Sequence, residues 1–225
     1  MREIVVDTET TGLNHRAGDR IIEVACVELL NHVATGKTLQ FYCSTDKKIS
    51  EEAQKISGLT NEFIKDHPKF FEQKEKFLEF IKDDILIIHN ADFDMGFLNN
   101  ELSLCGESPL TNKVVDTVSL ARKKLNSRIA NLDHLCKRFG ISLEGREKHD
   151  ALLDCKLLAE VYLQLLGGRQ TSLNLNKENK KPKNSLNKNQ KSYKIQEIQI
   201  SQEEIQDHKN FIADLKNALW HKVEY

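Results

Sequence analysis

Three apolar stretches crowd into the first 43 residues: Ile4–Asp7, Arg20–Leu30 and Lys37–Cys43. Turn-forming residues separate them at Asn14–Gly18 and Ala34–Gly36. Short connections of this kind favour an antiparallel meander, since parallel neighbours need a crossover of roughly a dozen residues or more. The pattern then changes. Phe70–Ile81 has helical spacing, with Phe70, Lys74, Phe77, Leu78 and Ile81 near one face. Ile85–Ile88 reads as a compact strand, Phe93–Leu104 as a helix and Val114–Val115 as a short strand. Thr117–Leu125, Leu132–Phe139 and Ala151–Leu166 read as helices, the last stopped by Gly167 and Gly168. Strands first, then strand and helix in alternation, predict an α/β fold: a mixed sheet covered by helices.

The acids carry the chemistry. Asp7 and Glu9 close the first strand two positions apart, so both project from the same face. Thr8 between them points to the other face, and Thr10, Thr11, Gly12 and Leu13 form a turn. Two like charges this close raise each other's cost of ionisation. A divalent cation removes that cost, and oxygen ligands favour Mg²⁺ or Mn²⁺. Further acids stand at other element ends, in His89-Asn-Ala-Asp-Phe-Asp94 and His149-Asp-Ala-Leu-Leu-Asp154. Parallel strands gather their carboxyl ends along one edge, which brings acids from separate segments together. Four carboxylates around two metals suit phosphoryl-oxygen chemistry. Spacing alone leaves Asp92 and Asp94 as alternatives. Asp150 and Asp154 share a helix face. His149 is placed in the loop before that helix, where its ordinary pKa of ~6.5 suits a general base.

Net charge is −1, so any contact with nucleic acid has to be local or metal-mediated. No apolar run approaches the ~18 residues of a membrane span, and the start shows no signal-peptide pattern. The expectation is a cytoplasmic chain without a membrane segment. Its five cysteines form no CxxC pair and read as reduced thiols.

The segments DTETTGL at 7–13, HNADFDMGFLNNEL at 89–102 and HDALLDCKLLAEVYL at 149–163 resemble the DEDDh family of 3′–5′ exonucleases. The resemblance implies a ribonuclease-H-like fold, a five-stranded mixed sheet with flanking helices. It maps the family's metal-binding acids onto Asp7, Glu9, Asp94 and Asp154, and its general base onto His149. The implied cofactors are two Mg²⁺ or Mn²⁺ ions. The implied reaction is hydrolysis at a single-stranded or frayed 3′ end, releasing nucleoside monophosphates. In the family, a loop after the third strand touches the terminal nucleotide together with the acids that match Asp7, Glu9 and Asp154. Here that loop carries Glu52 and Ser57, a serine where better-known relatives have histidine.

Within the family, VVDTVSLARKKL at 114–125, NLDHLCKRFGI at 131–141 and AEVYLQLLGGRQTSL at 159–173 are similar to proofreading subunits of bacterial replicative DNA polymerases. That likeness implies a DNA substrate. RNA 3′-end trimming and a non-catalytic scaffold are the alternative functions.

Composition shifts after Gly168. Thr171–Lys194 holds seven Lys, six Asn and a single acid, and cannot bury a core. The expected organisation is an exonuclease domain at 1–168, a flexible linker at 169–194 and a helical segment at 195–225. Ser201 to Glu204 form a capping box, followed by Ile205, Ile212, Leu215 and Leu219 at helical spacing, with Phe211 and Trp220 beside them. By resemblance, Gln170, Leu173 and Leu175 form a sliding-clamp peptide, and 195–225 binds the polymerase's catalytic subunit. The resemblance also allows for a small accessory subunit on the domain.

Overall fold

The computed structural model describes residues 1–168 and 201–214. The chain divides into two units, Met1–Asn174 and Leu175–Tyr225.

In the first unit five strands form one sheet, in the order β3-β2-β1-β4-β5. They are β1 (Arg2–Thr10), β2 (Ile21–Leu30), β3 (Val33–Tyr42), β4 (Ile85–Ile88) and β5 (Val114–Asp116). β2 is antiparallel to both β1 and β3, whereas β4 runs parallel to β1 and β5 parallel to β4. The sheet is therefore mixed, as the element order predicted, and β1 lies at its centre.

Side-chain alternation divides the core in two. Val5, Ala25, Val27, Leu29 and Ile87 pack with Ala121, Leu135, Cys155, Leu158 and Val161 from the helices α5 (Thr117–Leu125), α6 (Leu132–Phe139) and α7 (Ala151–Leu165). Ile4, Val6, Val24, Cys26, Leu86 and Ile88 face the other way. They pack with Phe70, Phe77 and Ile81 of α3 (Phe70–Ile81) and Phe97, Leu98 and Leu102 of α4 (Ala91–Leu104). Burial of apolar side chains on both faces holds the helices against the sheet.

Two local readings need correction. The chain reverses at Asn31 and His32, both at positive φ (51° and 69°), and not at Ala34–Gly36. Gly36 (φ 88°) lies inside β3, where the register with β2 shifts between Val27 and Leu29. Its left-handed backbone makes a bulge, a use of glycine that resembles a turn in sequence. The segment after β3 is also more regular than a loop. It forms α1 (Glu51–Ser57), capped by Ser50, and the short α2 (Asn61–Ile64), capped by Thr60.

A part-buried ion pair anchors α4. Arg20 donates from Nε and Nη2 to the two carboxylate oxygens of Glu101, at 2.7 and 2.6 Å. The Ile21 amide adds a third bond to Glu101 at 3.2 Å. These bonds join the start of β2 to the helix that carries Asp94.

The second unit contains α8 (Gln202–Asp214). Its capping box is formed: the Glu204 amide donates to Ser201 Oγ at 3.1 Å, and the Ser201 amide donates to Glu204 Oε2 at 2.9 Å. Ile212 is buried, Ile205 half-buried and Phe211 exposed. Gln170, Leu173, Leu175, Leu215, Leu219 and Trp220 lie outside the described residues.

Candidate active site

β1 extends to Thr10, so Asp7 and Glu9 are ladder residues, paired with Ala25 and Glu23 of β2. They open into a cleft of about 790 Å³. Asp94 enters it from the first turn of α4, Asp154 from the first turn of α7, and His149 from the loop before α7. Segments far apart in sequence thus converge at one end of the central strand.

Each acid has a structural reason for its position. Asn90 precedes α4 in the left-handed conformation (φ 67°), and the helix starts at Ala91. This turns Asp94 inward, 3% exposed, and leaves Asp92 in solvent. Thr8, on the opposite face of β1 from the two strand acids, donates its hydroxyl to Asp94 Oδ1 at 2.7 Å. Asp150 is occupied as the α7 N-cap, accepting from the Leu153 amide at 2.8 Å. Asp154, one turn on, is the acid that reaches the cleft.

His149 is half-exposed, with Nδ1 3.3 Å from Asp154 Oδ2. Its amide donates to the Ile56 carbonyl at 3.0 Å, tying its loop to the end of α1. Glu52, in the first turn of α1, lines the cleft beside Ser50, Ala53 and Ile56. Ser57 does not line it. Its buried hydroxyl donates to the Ala53 carbonyl at 3.0 Å and accepts from the Leu59 amide at 3.2 Å. Ser57 thus caps its own helix end. His89, also in the cleft wall, bonds Thr117 Oγ1 at 2.8 Å through Nδ1.

The electrostatics are those of crowded anions. Burial, and then repulsion from Asp94, Glu9 and Asp154, hold the Asp7 carboxyl well above the usual range. Burial and Glu23 push Glu9 up to about 8. Burial lifts Asp94 to about 7 against the opposing Thr8 hydrogen bond. Glu23, behind Glu9, is raised to about 7, chiefly by burial. Asp154 behaves differently: burial works to raise it, but hydrogen bonds from Arg146 and His149 outweigh that and lower it.

Among the described residues, seven acids line the cleft, against one arginine and no lysine. A nucleic acid is a polyanion and enters such a cleft only with added positive charge. The all-oxygen donor set of Asp7, Glu9, Asp94 and Asp154 fits a hard divalent cation. Among the described residues, no three His, Cys, Asp or Glu are grouped closely enough to hold one ion. Arg146 takes both oxygens of Asp154, whereas Thr8 holds only Oδ1 of Asp94.

Sequence reasoning missed Arg146, Thr8 as the partner of Asp94, and Glu23 behind Glu9. Arg146 sits in an irregular turn with no periodicity to mark it. Its one sequence signal is a cation three residues before His149.

A family model described as exonuclease matches residues 4–162. DNA polymerase III subunit epsilon of Rickettsia felis is 42% identical over 223 residues, 96% of this chain and 97% of that protein. The protein of the same name from Escherichia coli K12 is 43% identical over 180 residues, covering 76% and 74%. Among solved structures, the nuclease domain of 3′hExo, a DEDDh family member bound to rAMP, is similar in fold. Its TM-score is 0.64 at 20% identity, covering 73% of this chain and 91% of that one. Exonuclease X in complex with 5′-overhanging duplex DNA gives 0.59 at 21% identity, covering 73% and 90%. The chain therefore belongs to the exonuclease family and, within it, to the 3′–5′ proofreading exonucleases represented by the bacterial DNA polymerase III epsilon subunits.

Proposed function

We propose that the cleft hydrolyses the terminal phosphodiester at a single-stranded or frayed 3′ end of DNA, releasing deoxynucleoside monophosphates. The observation that carries this reading is the convergence of Asp7, Glu9, Asp94 and Asp154 beside His149 in one cleft. The four carboxylates would hold two Mg²⁺ or Mn²⁺ ions. When bound, such ions stabilise charge on the attacking and departing oxygens. His149 accepts the proton of the attacking water through its ring, which Asp154 orients at 3.3 Å. Glu52 contacts the terminal nucleotide from α1. Selection of errors follows from unpairing: a mismatched end frays at lower cost and occupies the cleft more often.

The remaining assignments concern assembly. Residues 1–168 form the exonuclease domain, 169–194 a linker and 195–225 a docking segment for the polymerase catalytic subunit. Gln170, Leu173 and Leu175 engage the sliding clamp, and a small accessory subunit binds the domain. The work is done in the cytoplasm. Support comes from the Rickettsia felis relative, which carries a polymerase-subunit name and aligns over 96% of this chain. The linker places the nuclease at high effective concentration near the primer end. Among the described residues, no helix is long and apolar enough to cross a membrane.

The test is nucleotide release from a 3′-labelled primer by the full chain, by Asp7→Ala/Glu9→Ala, and by the full chain in EDTA. Release that stops in the last two, with the double variant still folded, supports the site. Undiminished release in either overturns it. Full-length chain should capture the polymerase subunit, and a chain truncated at residue 194 should not.

A further inference from the structure

The proposed reaction leaves Arg146 without a role. Its side chain is 6% exposed, and among the described residues it is the single arginine or lysine lining the cleft. Nε and Nη2 grip the two oxygens of Asp154 at 2.5 and 2.7 Å. Nη1 donates to Asp133, which is half-exposed on α6. Nη2 also lies 3.4 Å from His149 Nδ1. The guanidinium therefore bridges a buried acid and a solvent-facing one.

A fork on a carboxylate is the strongest grip that cationic side chains make, and here it engages both oxygens. Asp154 is 5% exposed, so its ionised form needs a compensating partner. A divalent ion at Asp154 would meet that need as well as Arg146 does. Two cations then compete for one buried charge, and Asp133 gives the guanidinium a second anchor on the cleft wall.

We infer that Arg146 is a displaceable counter-ion: it holds Asp154 while no metal is bound, yields it to an incoming divalent cation, and stays tethered to Asp133. The inference rests on Asp154 being a metal ligand. Its consequence is a metal affinity lowered by the fraction of molecules in which Arg146 holds Asp154.

The test is calorimetric titration of the full chain with Mn²⁺, with thermal melts of metal-free and metal-loaded protein alongside. Arg146→Gln should bind Mn²⁺ about 10-fold more tightly, because the competitor is gone. Without metal it should melt below wild type, and Mn²⁺ should raise its melting temperature more. Arg146→Lys keeps the charge but has no fork, and should show a smaller gain in the same direction. Equal or weaker Mn²⁺ binding by Arg146→Gln overturns the inference. If that variant does not fold, equal or weaker binding by Arg146→Lys does so. Wild type that binds no Mn²⁺ overturns the metal-ligand reading itself, whereas wild-type binding with no gain in the variants contradicts the Arg146 role alone.

Discussion

Thr8 Oγ1 donates to Asp94 Oδ1 at 2.7 Å, from the face of β1 opposite Asp7 and Glu9. The strand that presents two acids to the cleft also steers a third acid, delivered by α4. Thr8→Val keeps the shape and removes the donor. Hydrogen bonds to charged groups contribute about 1.5–3 kcal/mol. Metal binding and nucleotide release should both weaken by about 10-fold or more, with little loss of fold. Calorimetry and a primer-degradation assay check this. A variant equal to wild type in both would show that Asp94 is held by the helix alone.

His149→Ala should lose about 10²–10⁴ in turnover, the usual range for a positioned base. Its affinity for metal and for DNA should stay near wild type, since the four carboxylates remain. The readouts are single-turnover release and Mn²⁺ calorimetry. Loss of metal affinity in parallel with turnover would mean that His149 holds the site together and does not move a proton.

Metal-free stability should fall as pH rises from the ordinary carboxylate range to about 8. Glu9 and Asp94 are raised to about 8 and about 7, so the folded chain binds more protons than the unfolded chain in that window. Stability then declines with increasing pH. Asp154 has the opposite sign, and its contribution is lost as pH falls through its lowered value. Thermal melts in EDTA check the trend, and Mg²⁺ should flatten it. Melting temperatures that climb across the window would contradict it.

Metal binding near neutral pH should release protons, because cations displace them from Glu9 and Asp94. Titration heats should therefore depend on the ionisation enthalpy of the buffer near pH ~7, and much less above pH ~9. Heats that do not vary with buffer at neutral pH would show that the acids are already ionised.

How far the sequence reveals this molecule depends on the range of each interaction. Strand alternation placed Asp7 and Glu9 on one face because that rule is local. Helical periodicity gave α3, α5 and α6 their observed bounds for the same reason. The choice of Asp94 over Asp92 came by resemblance. Its physical cause is the left-handed Asn90 that sets where α4 begins. Gly36 looks like a turn in sequence because a bulge and a turn use glycine alike. Ser57 was assigned to the substrate on family position, yet its hydroxyl serves its own backbone. Arg146 and Glu23 act across the fold, on partners 8 to 128 residues away, and no local pattern marks such contacts.

The proposed function is removal of unpaired 3′-terminal nucleotides from DNA by a carboxylate-and-histidine site. The most direct measurement is the rate of nucleotide release by the full chain, with Mg²⁺, from three 3′-labelled substrates: a mismatched DNA primer, a matched DNA primer and an RNA of the same sequence. Release should be fastest from the mismatched DNA, slower from the matched DNA and slowest from RNA. In EDTA none of them should release nucleotide. Equal rates on matched and mismatched DNA, or a faster rate on RNA, would overturn the proposed function.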